Sequence, residues 1–325
     1  MSFDLQKMLE SKRAYRQQLA ARPIGEKLRI LDALRERTLA IRGIAAHSAP
    51  NVIREDAALY RGARQNVEWD AGSRMHVLDW LESQDFVEQL QEMVAPTGFV
   101  VDREPPRQPK GRHDHRESVL TGSQDNFLPK ALKENLKKWW LAHSRGSKLP
   151  TWDLVVAAHD AQGTAALILV EAKAHNDELS SEGKALGTRD TEEAQARSDA
   201  NHEQIGKAIE QASNALRACV PGIALSRNQS YQFCNRIAFA WKLGSLGVPV
   251  VLVYLGFLND RTINPTFLES HAGWQAAFLS HTEAHFPASG MDKEISTLGA
   301  PFWLIVRSLE THRVSPPRDE RRQLK

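Results

Sequence analysis

The chain has 325 residues, of which 42% are hydrophobic, so it is long enough to bury at least one full core. Its formal net charge of +2 excludes a polycation, and any contact with nucleic acid must therefore depend on local charge. Its two cysteines, Cys219 and Cys234, exclude a disulfide scaffold and a zinc ribbon and fit a reducing compartment. We expect a cytoplasmic protein without membrane contact, because neither a signal peptide nor an apolar span of about 20 residues is evident.

Residues 1–45 predict an αα-hairpin with a break at residues 21–27. Leucine and isoleucine recur at helical spacing between Leu28 and Ile41, Pro23 suits a first helical turn, and Gly43 suits a C-cap. A hairpin of this size cannot bury its own apolar stripe. We therefore expect it to dock on the rest of the chain, on a second copy in a homo-oligomer, or on a protein partner.

Residues 46–118 are predicted to form a helical region followed by a linker. Apolar residues between Val77 and Val94 keep a helical period and predict one amphipathic helix over residues 74–94. The segment 102–118 is rich in proline and charge, which is typical of a linker or a long exposed loop. A domain boundary is therefore predicted there, with residues 119–325 as the second domain. Residues 102–148 carry a local net charge of +5, which indicates either a solvated surface or a phosphate-contacting one.

The segment LILVEAKAH, residues 167–175, places charges at the end of an apolar run. A side-chain period of two puts Glu171 and Lys173 on one face of the predicted strand. An earlier apolar run, 154–158, follows Asp153 and ends in the turn-like HDAQG, so the two runs predict an antiparallel hairpin. This pairing would bring the carboxylates of Asp153 and Glu171 together. The alternative is an exposed ion pair at a strand end, worth less than ~1 kcal/mol.

The remainder of the chain predicts further helices and two strands. A polar segment over residues 176–200 predicts a mobile excursion, and helices are expected over residues 201–218 and 230–244. The continuous apolar run 248–258 predicts a central strand covered on both faces, and residues 301–310 predict another strand. His281 and His285 have i, i+4 spacing but lack the glutamate that directly follows the first histidine in a zinc-protease helix, so surface histidines are expected.

The order of helix, β-hairpin, helix and buried strand, with Asp153 on the first hairpin strand and Glu171-x-Lys173 on the second, resembles the PD-(D/E)XK nuclease superfamily. The resemblance covers residues 127–258, and one departure is that Pro150 stands three residues before Asp153. The resemblance implies an α/β fold with a restriction-endonuclease-like core (helix, β-hairpin, helices, buried strand) and an α-helical N-terminal region.

Phosphodiester hydrolysis has to place hydroxide beside a phosphate that repels anions, and a hard divalent cation meets this need. Asp153 and Glu171 would bind Mg²⁺, with Mn²⁺ as a substitute, and the backbone carbonyl of Ala172 would add a third oxygen. Lys173 would orient or help deprotonate the attacking water and offset phosphate charge.

Further candidates come from the topology of the family. Glu134, on the helix before the hairpin, is a candidate catalytic acid, and its alternative role is a solvent-facing glutamate paired with a lysine at i+3 or i+4. Candidates for contacts with nucleic acid are His175, Gln204, Lys207 and Gln211. Their alternative roles are an ordinary strand-end histidine and solvent-facing helix residues.

These features together predict a Mg²⁺-dependent deoxyribonuclease with DNA as its partner, acting in restriction, repair or defence. The alternative is a catalytically inactive nuclease-fold module that recruits partners through its N-terminal helices. The presence of Asp153, Glu171 and Lys173 in the expected order favours the enzyme, since a degenerate site would have lost one of them.

Overall fold

A computed structural model of the chain describes residues 72–311, apart from residues 124, 145, 146, 148 and 262–266. The predicted αα-hairpin over residues 1–45, with its docking or oligomerisation surface, lies outside the described residues. All of the described residues belong to one compact unit, Gln65–Lys325.

The described residues form six α-helices and six β-strands, in the chain order α1, α2, β1, α3, β2, β3, α4, α5, β4, α6, β5 and β6. The helices are α1 (Ser73–Glu82), α2 (Phe86–Val94), α3 (Lys130–Trp140), α4 (Glu192–Leu216), α5 (Tyr231–Ser245) and α6 (His271–Thr282). The strands are β1 (Arg107–Gln108), β2 (Leu154–His159), β3 (Ala165–Lys173), β4 (Val250–Leu258), β5 (Glu294–Ile295) and β6 (Phe302–Glu310). No helix in this part of the chain is both long and apolar enough to cross a membrane.

The strands build one open, mixed sheet in the order β1-β2-β3-β4-β6-β5. Strand β2 runs antiparallel to both of its neighbours, β1 and β3, whereas β3, β4 and β6 run parallel, and β5 is antiparallel to β6. The predicted hairpin is confirmed, because Leu154 pairs with Val170 in an antiparallel ladder. Its turn is fixed by Asp160, whose carboxylate accepts the backbone N–H groups of Gln162 and Thr164.

Helices cover both faces of the sheet. Leu167 and Leu169 of β3 belong to a core shared with α3, α4, α5 and α6, whereas Ile168 and Val170 belong to a core shared with α1 and α2. All nine residues of β4 are buried, as expected for a central strand that is apolar throughout. The alternation along β3 assigns Glu171 to the face covered by α3 to α6.

The region before the hairpin differs from the sequence-based prediction. The single helix predicted over residues 74–94 is two helices, because Ser83 adopts an extended conformation and its hydroxyl donates to the carbonyl of Trp80. The predicted linker over residues 102–118 contributes the edge strand β1. Gln108 of β1 is buried, and its side-chain amide donates to Asp114 and to the carbonyl of Arg116. These hydrogen bonds connect β1 to the later part of the same polar segment.

Helix α4 begins nine residues before the predicted start at residue 201. The hydroxyl of Thr191 accepts the N–H of Ala194 as an N-cap, and the acids Glu192 and Glu193 suit the positive end of the helix dipole. Polar composition predicted an excursion here, yet the capping signal within the same residues starts a helix of 25 residues.

Candidate active site

The register of the hairpin sets Asp153 opposite Glu171. Leu154 pairs with Val170, so the next position along the ladder sets Asp153 across from Glu171. Directly opposed side chains on neighbouring strands lie on the same face of the sheet. The Asp153 carboxylate accepts the backbone N–H of Ala172 at 2.8 Å, which holds it at the strand end. Asp153 is half-buried, whereas Glu171 is only 1% exposed.

Three side-chain donors hold the Glu171 carboxylate. Lys173 Nζ lies 2.5 Å and Gln232 Nε2 lies 2.7 Å from Oε1, and Arg236 Nε lies 2.7 Å from Oε2. Lys173 and Arg236 are themselves buried, so both ion pairs are largely removed from water. Burial of charges is costly unless they are paired and hydrogen-bonded, and this cluster meets both conditions.

Arg236 ties helix α5 to the start of the hairpin. Its Nη2 donates to the carbonyl of Thr151 at 2.7 Å, and its guanidinium carbon lies 4.6 Å from the centroid of the Trp152 ring. Its Nη1 donates to Asn235 on the same helix. The guanidinium therefore fixes both the Glu171 carboxylate and the chain that leads into Asp153.

Helix α6 closes the lysine end of the cluster. Gly256 of β4 pairs with Lys173, and a Cβ atom at Gly256 would lie 2.7 Å from the Trp274 ring. Glycine at this position thus lets α6 approach the sheet. Burial, then the nearby His285, and then the charge of Lys173 lower the pKa of His281 on α6, which places this histidine near the lysine.

The charges in the cluster follow from these contacts. Burial raises the pKa of Glu171, but Arg236 and Lys173 outweigh it and bring that pKa to about 2. Burial lowers the pKa of Lys173, but Glu171 and Asp153 outweigh it, so the pKa is raised. Glu171 is therefore an anion and Lys173 a cation at neutral pH. As a cation, Lys173 can donate a hydrogen bond but cannot accept a proton from water.

Asp153 titrates in a different range from Glu171. Burial of its carboxyl group and the nearby charge of Glu171 raise its pKa from 3.8 to about 7. Two neighbouring carboxyl groups whose pKa values move apart in this way are common in catalytic and metal-binding sites. Near neutral pH, Asp153 is therefore partly protonated.

We expect the stability of the metal-free protein to decrease as Asp153 ionises. Between about pH 4 and pH 7 the folded protein holds the Asp153 proton and the unfolded chain does not, so the free energy of unfolding falls as pH rises. From about pH 4 to pH 8, wild type should lose about 2–5 kcal/mol relative to Asp153→Asn, which cannot ionise. Urea unfolding in EDTA at a series of pH values measures the difference.

Asp160→Asn is the matched control for this titration, because it makes the same change in the turn at the other end of β2. Its stability should keep the pH dependence of wild type over this range. Parallel stability curves for wild type and Asp153→Asn would show that Asp153 does not have a raised pKa.

Tyr254 of β4 is a neighbour of the cluster that the sequence did not single out. It pairs with Glu171 across the parallel strands and is 2% exposed, and its hydroxyl has no hydrogen-bond partner among the described residues. Burial and the charge of Glu171 raise its pKa well above the usual value. Gln232 and Arg236 were also missed, although an arginine inside the apolar run of α5 and a tyrosine inside the apolar run of β4 were available signals.

Glu134 lies on α3, apart from the ion cluster just described. Its side chain is about half exposed and accepts a hydrogen bond from Lys137 at 3.2 Å, as in the alternative i, i+3 pair. It also lines a cavity of about 740 Å³ that Thr151 lines as well. Its catalytic role stays a prediction.

The candidates on α4 contact other protein groups. Gln204 donates to the carbonyl of Trp139, Gln211 accepts from the indole N–H of Trp139, and Lys207 forms an exposed ion pair with Glu203. Both glutamines thus join α4 to α3. A contact with nucleic acid stays a prediction for all three candidates.

His175 is buried and contacts Asp260, just beyond the end of β4. Its Nε2 lies 3.3 Å from Asp260 Oδ2, and Nε2 of His76 on α1 lies 3.0 Å from the same oxygen. Helix α1 covers the face opposite Glu171 and Lys173. The structure therefore joins His175 to α1 through Asp260, and its contact with phosphate stays a prediction.

Within the described ranges, no group of three or more histidine, cysteine, aspartate or glutamate side chains is arranged to hold a metal ion. His271 contacts Ser308. His285 was expected at the surface but is buried, and it contacts the carbonyl of Ala224. Asp153 and Glu171 make up a pair of carboxylates, so a cation between them would need backbone oxygen and water as its other ligands.

Comparisons with protein families, with curated proteins and with solved structures found no match to this chain.

Proposed function

We propose that this protein is a Mg²⁺-dependent nuclease that hydrolyses DNA in an active site formed by Asp153, Glu171 and Lys173. The observation that carries the proposal is the position of Asp153 opposite Glu171 at one end of a hairpin, with Lys173 hydrogen-bonded to Glu171. A restriction-endonuclease-like core is part of the same proposal. It is supported by the β2–β3 hairpin and by β4, which runs parallel to β3 after two intervening helices.

The donor set fits a hard divalent cation. A carboxylate offers about four acceptor positions, and the protein donors to Glu171 occupy three of them, which leaves one on Oε2. Asp153 accepts one backbone N–H, from Ala172. Because the N–H and C=O of a strand residue point towards the same neighbouring strand, the Ala172 carbonyl supports the predicted third oxygen ligand. Asp153, Glu171 and Ala172 would then hold the ion together with water.

Each residue has a task that matches its charge. A bound Mg²⁺ would supply positive charge beside the phosphate and lower the pKa of water. Lys173, as a cation, would hydrogen-bond a phosphate oxygen or the attacking water and stabilise negative charge in the transition state. Its raised pKa argues against its acting as the base that deprotonates water. Arg236 would position Glu171 without touching the substrate.

A second candidate function is a catalytically inactive module that uses the same fold for interaction. The observation that favours it is that Lys173, Gln232 and Arg236 already occupy three of the acceptor positions of Glu171, in a cluster covered by α5 and α6. Such a cluster can serve structure alone, as a buried ion network. A metal ion would then have only the remaining acceptor position on Oε2, beside the guanidinium of Arg236.

Cleavage assays separate the two functions. Purified protein is incubated with plasmid, single-stranded DNA and RNA in Mg²⁺, Mn²⁺ or EDTA, beside a Lys173→Ala variant shown to be folded by circular dichroism. The nuclease predicts cleavage of DNA with either metal, none in EDTA, and strong loss in the variant. Absence of cleavage with every substrate and both metals would favour the inactive module, and equal cleavage by the variant would place catalysis elsewhere.

A further inference from the structure

A second cavity, of about 630 Å³, lies beside the first part of α4. Its walls are the segment from Lys184 to Arg189, the α4 residues between Ala194 and Ile205, and two residues from the region after α3, Leu141 and Ser147. The polar segment after β3 therefore folds over the helix rather than extending away from it. Backbone pairing of Lys184 with Arg227 holds this segment in place.

The charge of this cavity is strongly one-sided. Lys184, Arg189, Arg197 and His202 line it, and no aspartate or glutamate does so among the residues that the structure describes there. Of Lys184, Arg189 and Arg197, only Arg197 forms an ion pair within the described part of the chain. Its partner is Glu193, one helical turn earlier. The side chain of that glutamate is 84% exposed. The cavity wall thus concentrates positive charge.

The basic groups are close enough to disfavour one another's charge. Burial and then the charge of Arg189 lower the pKa of Lys184. Burial and then the charges of Arg227 and Lys184 lower the pKa of His202, with a smaller opposing effect from Asp199. Like charges held together in a partly buried place are unfavourable unless an anion neutralises them.

His202 supplies an observation independent of the charges. Its Nδ1 atom is buried and has no hydrogen-bond partner in the described structure. Buried polar atoms are nearly always satisfied by protein, water or ligand. This nitrogen requires a group that can accept a hydrogen bond from it or donate one to it, and the cationic walls of the cavity favour an anion.

We propose that this cavity binds a phosphate group through Lys184, Arg189 and His202. A phosphate offers several strong acceptor oxygens and negative charge, and lysine and arginine at the wall of a cavity are its usual protein partners. The proposal gives the net acidic segment 174–200 a role that its composition does not indicate. Its acids Asp190, Glu192 and Glu193 are exposed and do not line the cavity, whereas the half-buried Lys184 and the exposed Arg189 do.

The phosphate group would come either from the backbone of a nucleic acid or from a free phosphate ion. Both present the same acceptor oxygens and negative charge. Ser147 lines both this cavity and the larger one, which is also lined by Thr151, two residues before Asp153. A nucleic acid that contacted both cavities would pass Ser147. Binding of phosphate does not require cleavage, so the proposal stands or fails separately from the nuclease.

The test measures binding to the full chain in EDTA, with inorganic phosphate by calorimetry and with a fluorescein-labelled single-stranded DNA by anisotropy. The variants are Lys184→Gln with Arg189→Gln, the single Lys184→Gln, and Arg217→Gln as a matched control on the exposed C-terminal end of α4. Removing both basic side chains should weaken binding about tenfold or more, and the control should bind like wild type. Sodium sulfate in place of phosphate tests whether the site needs the proton that hydrogen phosphate carries and sulfate lacks.

The outcomes decide whether the cavity binds phosphate and whether that phosphate is free or part of a nucleic acid. Loss of affinity for both probes in the double variant supports a site for any phosphate, and loss for DNA alone supports a site for phosphate borne on nucleic acid. Equal affinity in wild type and the double variant for both probes, or no binding by wild type, would overturn the proposal. Lys184→Gln relieves repulsion but also removes the contact of Lys184 Nζ with the Tyr231 ring, 5.1 Å from its centroid. The melting temperature of each variant in phosphate-free buffer therefore distinguishes a fold defect from lost binding.

Discussion

Replacing Arg236 by methionine is expected to lower the free energy of unfolding by about 3–5 kcal/mol. Methionine keeps much of the side-chain volume but removes the hydrogen bonds to Glu171 and to the carbonyl of Thr151, and the stacking on Trp152. The Glu171 carboxylate would then stay buried with less compensating charge. Urea unfolding at about pH 7, followed by circular dichroism, measures the change.

Lys242→Met is the matched control, since Lys242 lies in the last turn of the same helix and is half-buried over the rings of Trp139 and Trp241. It should cost less than about 1 kcal/mol, as expected for a cation–π contact near the surface. A loss below about 1 kcal/mol for Arg236→Met would mean that the ion cluster is not a major source of stability.

Removing either Asp153 or Lys173 is expected to reduce Mg²⁺-dependent DNA cleavage by at least about 100-fold. Asp153→Asn removes a metal ligand and a negative charge, so DNA binding should be kept or strengthened. Lys173→Met removes a cation proposed to stabilise the transition state, so turnover should fall more than metal affinity. Single-turnover cleavage and fluorescence anisotropy, measured on the same preparations, give the two quantities separately.

Asp153 and Lys173 are better choices than Glu171 for this comparison. Glu171→Ala would leave Lys173 and Arg236 buried without their shared carboxylate, so a loss of cleavage could come from a loss of folding. Asp160→Asn and Lys242→Met repeat the two substitutions away from the site and should retain full cleavage. Full cleavage by folded Asp153→Asn and Lys173→Met proteins would remove these residues from the mechanism.

The hairpin and its charged end are predictable from sequence because they depend on local pattern. The apolar runs of β2 and β3 have strand length, HDAQG marks the turn, and a period of two assigns Glu171 and Lys173 to one face. The central strand β4 is predictable for a related reason, since only a strand covered on both faces is apolar throughout.

The rest of the site depends on residues far apart in the chain. Arg236 reaches Glu171 across 65 positions, and only the packing of α5 on the sheet brings them together. The edge strand β1 forms within a segment whose proline and charge content is typical of loops, because pairing with β2 outweighs composition. The break between α1 and α2 depends on the conformation of Ser83, which hydrophobic periodicity does not encode.

The binding of Mn²⁺ to the wild-type protein, followed by electron paramagnetic resonance at about pH 8, tests most directly whether Asp153 and Glu171 hold a divalent cation. At this pH Asp153 is largely ionised, because its pKa is about 7. The nuclease proposal predicts saturable binding of one ion per chain that Mg²⁺ displaces, that Asp153→Asn weakens at least about tenfold, and that Asp160→Asn leaves unchanged. Equal Mn²⁺ binding by wild type and Asp153→Asn, or no saturable binding by wild type, would contradict a metal site at these carboxylates.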